Sequence, residues 1–512
     1  MPEYVAPGVY VSELPSGPRS IEGVPTSTAA FLGETERGPT VPRLVTSVTE
    51  YRRWFGGDFL PDRYLPHAVR GFFDNGGKRA HVARIVGAGA ATASLTIGDL
   101  TVRASGPGAW GNRVWVRLLP ATGGGSVTTF TLRLAWWRDA NPPNFDPFDA
   151  ANDALTPRPQ SQEAFDNLSV DSQSPDYFAS RVVSPLAVLS MPDGGVLSLP
   201  APTPGAFLSS GSDAAGAPAA ADYGGTSDPG IGREQAQGLA ALAIDECRDV
   251  ALVYAPDPAG DPSNAIAKLI VEHCDAHRFR FAVIDGADVD PTTLHPRDAI
   301  GDTQYAAYYS PWLVVSDPGT GARVTVPPGG HVLGIYARVD IERGVHKASA
   351  NEVVLGALDL AFAVTDDMQD ALNRRGVNVI RSFPSRGIRV WGARTLSSDA
   401  EWKYVPVRRL FIFLERSISE GIQWAVFEPN GEPLWARVRD TVRLFLRAQW
   451  RSGALLGRTE NEAFFITCDR STMTSDDILN GRLVCEIGVA PMRPAVFVIF
   501  RILQRTLEAR DA

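Results

Sequence analysis

The feature that most constrains this chain is a nearly uninterrupted run of β-branched and aromatic residues, PAVFVIFRIL at 494–503. An alternating pattern would suit a strand with one solvent-exposed face, whereas a continuous run is typical of a strand covered on both faces. The run lies so close to the last residue that no later segment can pair with it, and an unpaired apolar edge promotes aggregation. We therefore expect it to pair either within its own domain or with another copy of the chain.

A second short run, GVYVSEL at 8–14, stands between Pro7 and Pro15 near the first residue. Prolines keep such a segment extended and outside a packed domain. Together the two runs predict a protein whose ends link it to its neighbours. The residues predicted to form these inter-subunit strand arms are Val9, Tyr10, Val11, Ser12, Glu13 and Leu14 at one end and Val496, Phe497, Val498, Ile499, Phe500 and Ile502 at the other.

Composition bounds the class of protein. The chain has 512 residues, a hydrophobic content of 44% and a charged content of 21%, as expected for a soluble protein of several domains. Its net charge of −9 argues against nucleic acid as a partner. The sequence does not begin with a signal peptide and contains no apolar run that could cross a bilayer, so we expect synthesis in the cytoplasm and no membrane insertion. The four cysteines form no CxxC pair, which indicates a reducing compartment or a chain without a disulfide framework.

The order of predicted elements gives a multidomain α/β (mixed α+β) fold. The predicted segments are an N-terminal linker arm at 1–25, an α/β core at 26–86 and 226–380, an inserted β-rich outer domain at 87–225 with a flexible connector at 193–230, a C-terminal α/β domain at 381–493, and a C-terminal linker arm at 494–512.

Local signals fix several elements of the core. Ser47 and Glu50 predict a capping box that opens a helix. Strands at 250–254 and 280–285 flank a helix at 264–277, and such a βαβ unit implies parallel pairing. The other predicted elements are helices at 66–73, through Leu239, Leu242 and Ile244, from Leu410, and from Pro433 to about Gly453, and strands at 28–33, 79–86, 93–97, 100–104, 113–119, 128–135, 312–315, 463–469 and 483–489.

Two motifs resemble ligand sites but lack the context that such sites need. Gly106, Gly108 and Gly111 satisfy G-x-G-x-x-G, yet a strand rather than a helix follows, so a structural turn is favoured over a nucleotide site. His273 and His277 are one helical turn apart, but no further ligand follows at a familiar spacing. We therefore expect no metal and no cofactor.

Three carboxylates, Asp285, Asp288 and Asp290, follow a predicted strand at the end where open α/β sheets bind ligands. An acidic loop of this kind is more often a solvated turn, and no phosphate-binding loop accompanies it. No nucleophile–base pair stands out in the sequence. We therefore expect no enzyme, while keeping a catalytic or ligand-binding crevice near Asp285 as an alternative.

The long helix predicted from Pro433 has two distinct faces. Leu434, Val438, Val442, Phe445 and Leu446 form an apolar stripe at helical spacing. Beside it stand Arg439, Arg443, Arg447 and Arg451, four residues apart and therefore stacked on one face, where like charges repel one another. One interpretation is contact with an acidic partner, and the other is a solvated helix face partly offset by Asp440.

The sequence resembles the tail sheath proteins of contractile phage tails and contractile injection systems. The residues that carry the resemblance follow in order: VPPGGH at 326–331, GIYARVD at 334–340, Asn351-Glu352, Gly376-Val377-Asn378, WGARTL at 391–396, WKYV at 402–405, Arg408-Arg409, FEPN at 427–430, Leu434-Trp435, and Gly453-Ala454-Leu455 with Gly457. Upstream, 4–13, Trp110-Gly111-Asn112, 165–169 and 309–312 also fit the family. The sequence departs from the family pattern at 346–350, and its connector at 193–230 does not align.

The resemblance implies a structural role without catalysis. Copies of the chain would polymerise helically around an inner tube, and contraction would drive that tube through a target envelope. The terminal arms would add strands to neighbouring subunits, and Arg439, Arg443, Arg447 and Arg451 would contact the tube. The implied partners are the chain itself, the inner tube protein, and baseplate and tail-terminator or cap proteins, within a virion tail or a tail-like particle. The remaining alternative is another repetitive structural protein of a baseplate or surface layer.

Overall fold

The computed structural model describes residues 20–57, 63–123, 128–192, 194–197, 205–226, 236–256 and 263–495. Both predicted arms, 9–14 and 496–502, lie outside the described residues. The described residues divide into two compact units. The smaller unit contains 20–24, 344–347 and 409–495, and the larger unit contains the rest.

The elements follow one another in mixed order along the chain. The strands are β1 Ala29–Gly33, β2 Arg43–Val45, β3 Ala80–Arg84, β4 Ser94–Ile97, β5 Leu100–Ala104, β6 Val114–Pro120, β7 Thr129–Trp136, β8 Ser161–Ser169, β9 Ala187–Ser190, β10 Ala206–Phe207, β11 Leu252–Tyr254, β12 Phe281–Asp285, β13 Ala306–Ser310, β14 Leu313–Ser316, β15 Arg323–Val326, β16 Glu352–Val353, β17 Ala357–Leu360, β18 Val377–Phe383, β19 Gly387–Val390, β20 Phe464–Thr467 and β21 Glu486–Val489. The helices are α1 Val48–Phe55, α2 Leu65–Asp74, α3 Phe178–Arg181, α4 Ala220–Gly224, α5 Ala265–His277, α6 Pro296–Ala299, α7 Gly329–Arg343, α8 Asp366–Arg374, α9 Val405–Gly421, α10 Glu432–Arg451, α11 Glu460–Ala463 and α12 Ser475–Leu479.

In the described part of the chain, the larger unit is built on a nine-stranded sheet in the order β16-β19-β18-β13-β12-β11-β1-β3-β2. The strands from β18 to β3 run parallel, and the antiparallel strands β2, β19 and β16 lie at its two edges. Fully buried strands such as β1 and β12 explain why these segments read as continuous apolar runs. The predicted βαβ unit is confirmed, since β11 and β12 pair in parallel on either side of α5.

Helix α1 of the larger unit begins and ends where the sequence predicts. The Ser47 hydroxyl accepts a hydrogen bond from the Glu50 N–H at 3.1 Å and caps α1, which ends at Gly56. The reciprocal bond of a capping box differs from the prediction, because the Glu50 carboxylate accepts from the N–H of Thr46 at 2.8 Å rather than from that of Ser47. Helices α2 and α7 can approach closely because Gly330 has no side chain. A Cβ on Gly330 would lie 2.4 Å from the carbonyl oxygen of Ala68.

A β-rich segment is inserted in the larger unit between β3 and β11. It contains a three-stranded sheet, β4-β5-β9, and a four-stranded sheet, β10-β6-β7-β8. Trp110, Trp136, Phe130 and Phe178 are among the buried side chains of its core. A third small sheet, β15-β14-β17, is antiparallel and lies farther along the chain.

Several expectations differ from the structure. Within the predicted connector at 193–230, the structure describes 194–197 and 205–226. The second stretch is paired rather than flexible: Ala206 lies opposite Val116 in β10–β6, and Leu208 is buried in the inserted core. The helix expected through Leu239 and Ile244 is instead two short 3₁₀ segments, Ala240–Ala243 and Asp245–Cys247.

The segment 381–408, assigned from the sequence to the C-terminal domain, lies in the larger unit. The reason is local pairing: β18 and β19 form an antiparallel hairpin that belongs to the large sheet, with Ile380 opposite Val390. The smaller unit therefore takes its first long helix from Arg409 onward, within α9.

The smaller unit packs α9 and α10 over a two-stranded antiparallel sheet, β20–β21. Leu410, Leu414, Phe445, Phe464 and Ile466 belong to its main core cluster. A second cluster forms around the start of α10, with Leu434, Trp435, Val438, Cys468 and Met473. The predicted apolar stripe of α10 is confirmed, because each of its five residues is buried.

Candidate interaction surface of the smaller unit

The four arginines predicted on one face of α10 do not share one environment. Arg447 makes two bonds to Glu460, from Nε to Oε2 at 2.7 Å and from Nη2 to Oε1 at 3.2 Å. The Nε of Arg443 lies 3.7 Å from Oε1 of the same carboxylate. Both guanidinium groups stay partly exposed, with side-chain accessibilities of 43% for Arg443 and 36% for Arg447. Glu460, at the start of α11, therefore neutralises part of this face within the subunit.

The ion pair changes the titration of both partners. The hydrogen bond from Arg447 holds the pKa of Glu460 below its ordinary value, and the charges of Arg447, Arg443 and Arg451 add to this effect. The same bond raises the pKa of Arg447. From the sequence, Asp440 was the expected offsetting carboxylate, and Glu460 was not identified. No local pattern links Glu460 to the arginines, because Glu460 follows α10 after a turn and only the fold brings the two together.

Arg439 and Arg451 lie at opposite ends of the row. Arg451 is exposed in the last turn of α10 and contributes only a longer-range attraction to Glu460. The charge of Arg439 acts instead on Asp469 and on the thiols of Cys468 and Cys485. The face thus consists of a pair held by Glu460 and two flanking arginines in different surroundings.

The sheet beside this helix is short. Phe464 lies opposite Val489 and Thr467 opposite Glu486, and among the described residues β20 and β21 pair as strands only with each other. The inner face buries Phe464 and Ile466, whereas Phe465 on the outer face is 54% exposed. A two-stranded sheet is marginally stable by itself. The described sheet therefore offers strand edges to which a further extended segment can add.

Exposed apolar side chains surround the same unit. The largest are Phe427, 103% exposed, and Leu479, 86% exposed; Leu456 and Leu444 are 56% and 42% exposed. Leu444 stands on α10 between Arg443 and Arg447 in sequence.

The glycine motif at 106–111 is a structural turn, as predicted from the strand that follows it. Gly106 packs so closely that a Cβ there would lie 2.1 Å from the carbonyl oxygen of Gly38. Arg84 is buried beneath it and donates to the carbonyls of Gly38 and Pro107, at 2.9 and 2.7 Å. Burial lowers the pKa of Arg84 to about 10. Residues 109–113 form a 3₁₀ turn that leads into β6.

The histidine pair on α5 is used within the protein. Arg280 donates to Nε2 of His273 at 2.7 Å, and burial together with this cation lowers the pKa of His273 to about 3. The His277 ring packs against the His273 ring at an interplanar angle of 44°, with ring centroids 4.4 Å apart. Within the described ranges, no group of three or more His, Cys, Asp or Glu side chains is placed to hold a metal ion.

Asp285 organises packing at the end of β12. One carboxylate oxygen accepts from the Tyr254 hydroxyl at 2.6 Å, and the other accepts from the N–H of Gly329 at 2.7 Å, where α7 begins. The start of α7 therefore occupies the crevice in which the sequence placed an alternative ligand site. Asp290 caps a short 3₁₀ segment through the N–H of Thr292 at 2.9 Å.

A cavity of about 700 Å³ in the larger unit lies beside the end of β3 and the 3₁₀ turn at 109–113. Arg138, which lines it, donates to both oxygens of Glu36 at 2.9 and 3.3 Å. Arg84 is held by backbone carbonyls, as described above. The hydrogen bonds of Arg138 and Arg84 are thus made to the protein itself.

No helix in the described residues is long and apolar enough to cross a membrane.

Comparison with protein families gives two adjacent matches. The model described as phage tail sheath protein central domain matches residues 230–396, and the model described as phage tail sheath C-terminal domain matches residues 397–505. Together they cover more than half of the chain.

Curated relatives match over shorter stretches. A putative prophage major tail sheath protein of Pseudomonas aeruginosa (strain UCBPP-PA14) is 25% identical over 196 residues, 38% of this chain and 49% of the relative. The tail sheath protein of Salmonella phage ViI is 24% identical over 278 residues, 52% of this chain and 43% of that protein. The chain thus aligns with about half the length of these relatives.

Solved structures match over nearly the whole length. The sheath complex of the extracellular contractile injection system PVC, in its contracted state, is 23% identical with a TM-score of 0.59, covering 100% of both chains. The helical sheath of the anti-feeding prophage in its contracted state is 24% identical with a TM-score of 0.60, covering 98% of this chain and 100% of that one. A sheath tail protein from Desulfitobacterium hafniense, 14% identical with a TM-score of 0.54, covers 90% of this chain and 93% of its own. At these identities the likeness is one of fold.

Proposed function

Because the chain belongs to the phage tail sheath protein family, we propose that it is the structural subunit of a contractile sheath, polymerising helically around an inner tube and contracting to drive that tube through a target envelope. The observation that carries this proposal is the pair of adjacent family matches across 230–505. The fold supports it, because the solved chains of similar fold are sheath subunits covered over 90% or more of their length.

Subunits are linked through the terminal arms. Residues 9–14 and 496–502 add strands to the β20–β21 sheets of neighbouring subunits, so that main-chain hydrogen bonds join one copy to the next. Two observations support this assignment: the arms are rich in strand formers, and the described sheet has only two strands. Donor and acceptor surfaces differ, so the contact is heterologous and propagates as an open helix.

The inner tube is held by the arginine face of α10, defined by Arg439, Arg443, Arg447 and Arg451. Glu460 already binds two of these arginines, so each contact with a tube carboxylate is weak and screened by salt. Many weak contacts, repeated along a helical array, hold the tube firmly yet release it when the sheath widens.

The role is structural, without catalysis or a cofactor. The further partners are baseplate proteins and a tail-terminator or cap protein. The subunit is made and assembled in the cytoplasm and becomes part of a virion tail or a tail-like particle. A net charge of −9 disfavours nucleic acid as a partner.

Electron microscopy of the purified chain tests the assembly. We expect hollow helical tubes, which are retained around an inner tube when one is co-expressed. Flat lattices or isolated rings would instead identify a surface-layer or baseplate protein. Deletion of residues 494–512 should leave folded, soluble particles that do not polymerise, whereas deletion of 511–512 alone is the matched control. Normal tubes from the longer deletion would overturn the role of the C-terminal arm.

A further inference from the structure

The register of the short sheet places two cysteines opposite each other. The ladder pairs Phe464 with Val489 and continues to Thr467 with Glu486. One more step in the same register brings Cys468 opposite Cys485. Neither sulfur is part of a disulfide in this structure. The spacing of these cysteines in the sequence gave no sign of the relationship, because register alone creates it.

The geometry of this cross-strand pair suits a disulfide. The Ala490 N–H donates to the Ala463 carbonyl at 2.9 Å, which makes that pair hydrogen-bonded. Hydrogen-bonded and non-hydrogen-bonded pairs alternate along an antiparallel ladder, so Cys468 and Cys485, an odd number of steps away, form a non-hydrogen-bonded pair. Such pairs have Cα atoms about 4.5 Å apart, which falls at the short end of the roughly 4.4–6.8 Å that disulfides span.

Both side chains point to the same side of the sheet. Side chains alternate along a strand, so Cys468 shares the inner face with Phe464 and Ile466. Cys468 is buried, whereas Cys485 is only partly buried. Both belong to the cluster beneath the start of α10 that contains Trp435 and Val438. The second thiol is therefore the one that a reagent in solution reaches first.

The two thiols also act on each other. A hydrogen bond from Cys485, with the charge of Arg439 in support, lowers the pKa of Cys468. The same hydrogen bond, together with burial, raises the pKa of Cys485. A thiolate rather than a thiol is the nucleophile in disulfide exchange. The pair therefore has a preferred nucleophile next to a more accessible thiol.

We propose that Cys468 and Cys485 form a reversible disulfide that fastens β20 to β21 when the protein meets an oxidising medium. The oxidant is a low-molecular-weight disulfide such as oxidised glutathione. Cys485, the more accessible thiol, first attacks it through the fraction of Cys485 that is ionised, releasing one glutathione thiol and leaving a mixed disulfide on Cys485. The Cys468 thiolate then attacks the Cys485 sulfur, so that the protein disulfide forms, the second glutathione leaves as a thiol, and one disulfide has been consumed for one made.

The bond closes a loop that contains α12 and ties both ends of this loop to the sheet. Chains made in a reducing cytoplasm would keep the thiols free, and particles released from the cell would acquire the link. If the sheet accepts arms from neighbouring subunits, a consequence that rests on the proposed function, the link fixes the register of the acceptor strands. The disulfide itself does not depend on that function.

Thiol counting on the full chain in glutathione buffers tests the proposal. After acid quenching, denaturation and alkylation, we expect all four cysteines to be modified from reducing buffer and two of the four to resist modification from oxidising buffer. Peptide mapping should then show one linked species containing Cys468 and Cys485. Alkylation of all four thiols, a lasting glutathione adduct, or a different pairing would each overturn the proposal.

Variants separate this pair from the other thiols. Cys485→Ser should abolish the loss of two alkylatable thiols in oxidising buffer. Cys274→Ala, which removes a buried cysteine of the larger unit, should leave that loss unchanged. Should Cys485→Ser not fold, the peptide map of the unaltered chain decides alone. Tube formation, followed by microscopy in both buffers, is a separate readout, so failure of assembly is distinguishable from failure of the disulfide.

Discussion

Arg447 on α10 and Glu460 on α11 form a two-bond ion pair, with Nε–Oε2 and Nη2–Oε1 distances of 2.7 and 3.2 Å. Paired donors of this kind fix the guanidinium plane as well as its charge. The sequence shows a row of like charges on one helix face, and the fold brings one carboxylate of the same subunit to it. The arginine face is therefore a moderated positive surface.

The arginine face leads to a first prediction about tube binding. Replacing Arg443 and Arg447 together by Glu reverses the charge of the pair nearest Glu460 and should release the inner tube, while sheath-only polymers still form. Co-purification of the tube with the sheath measures the effect. Arg470→Glu is the matched control, because Arg470 is an exposed arginine of the same unit that pairs with Glu432 at 3.2 Å. Unchanged tube retention in the double variant would mean that the arginine face is solvent-exposed and does not bind the tube.

Glu460 allows the opposite change. Glu460→Gln removes the internal counter-charge of Arg447 and Arg443 without altering size, so the tube should stay bound to higher salt than with the unaltered chain. The salt concentration at which half of the tube is released measures this. A lower salt midpoint would mean that Glu460 positions the arginines for the tube and does not compete with it.

The pH dependence of this ion pair follows from the lowered pKa of Glu460. A carboxylate with a depressed pKa in the folded chain contributes stability that is fully present above its unfolded pKa and is lost as pH falls through the folded value. The pair should therefore persist at neutral pH and weaken only as the pH falls below the ordinary pKa of a glutamate. Titration of the Glu460 carboxyl resonance by NMR, with Arg447→Gln as the comparison, would reveal the difference. Identical titration curves would contradict it.

Much of the fold could be read from local sequence. Ser47 predicts the start of α1, and the apolar stripe of α10 predicts its buried face, since both signals depend on neighbouring residues. By contrast, β13, Ala306–Ser310, lies between β12 and β18, yet its alanines have low strand propensity. Its conformation is imposed by pairing on both sides, which no local pattern encodes.

The same limit applies to the candidate surface. Glu460 and the cysteine pair are separated in sequence from the groups they meet, and only turn geometry and strand register join them. The prediction of a flexible connector from its glycine- and alanine-rich composition was wrong for a related reason. Composition favours flexibility, but Leu208 is buried in the inserted core and Ala206 pairs with Val116.

Two buried histidines, His67 and His331, and the half-buried His273 predict that acid destabilises the larger unit. Burial is the main cause that lowers the pKa of His67 and of His331 to about 4 each, and that of His273 to about 3. Between these values and the ordinary histidine pKa, the unfolded chain binds protons that the folded chain does not. Stability is therefore complete above the ordinary value and falls with decreasing pH, by roughly 1.4 kcal/mol per unit for each such histidine.

Urea unfolding of the full chain, measured as a function of pH, checks this slope. His273→Gln should flatten it, because a glutamine side chain can still accept the Arg280 hydrogen bond but does not titrate in this range. His295→Gln is the matched control, since the His295 side chain is 53% exposed. Equal slopes in the two variants would remove His273 as a contributor.

Substitution of Asp285 distinguishes a structural role of this carboxylate from a catalytic or ligand-binding role. Asp285→Ala deletes the acceptor of the Tyr254 hydroxyl and of the Gly329 N–H, and should destabilise the larger unit by about 1–3 kcal/mol for each buried donor affected. Tyr254→Phe removes only the first bond and should cost less. In the double variant the cost should fall short of the sum of the two single costs, because both changes delete the same hydrogen bond. An Asp285→Ala chain of unchanged stability would contradict the structural role and favour the alternative of a catalytic or ligand-binding crevice near Asp285.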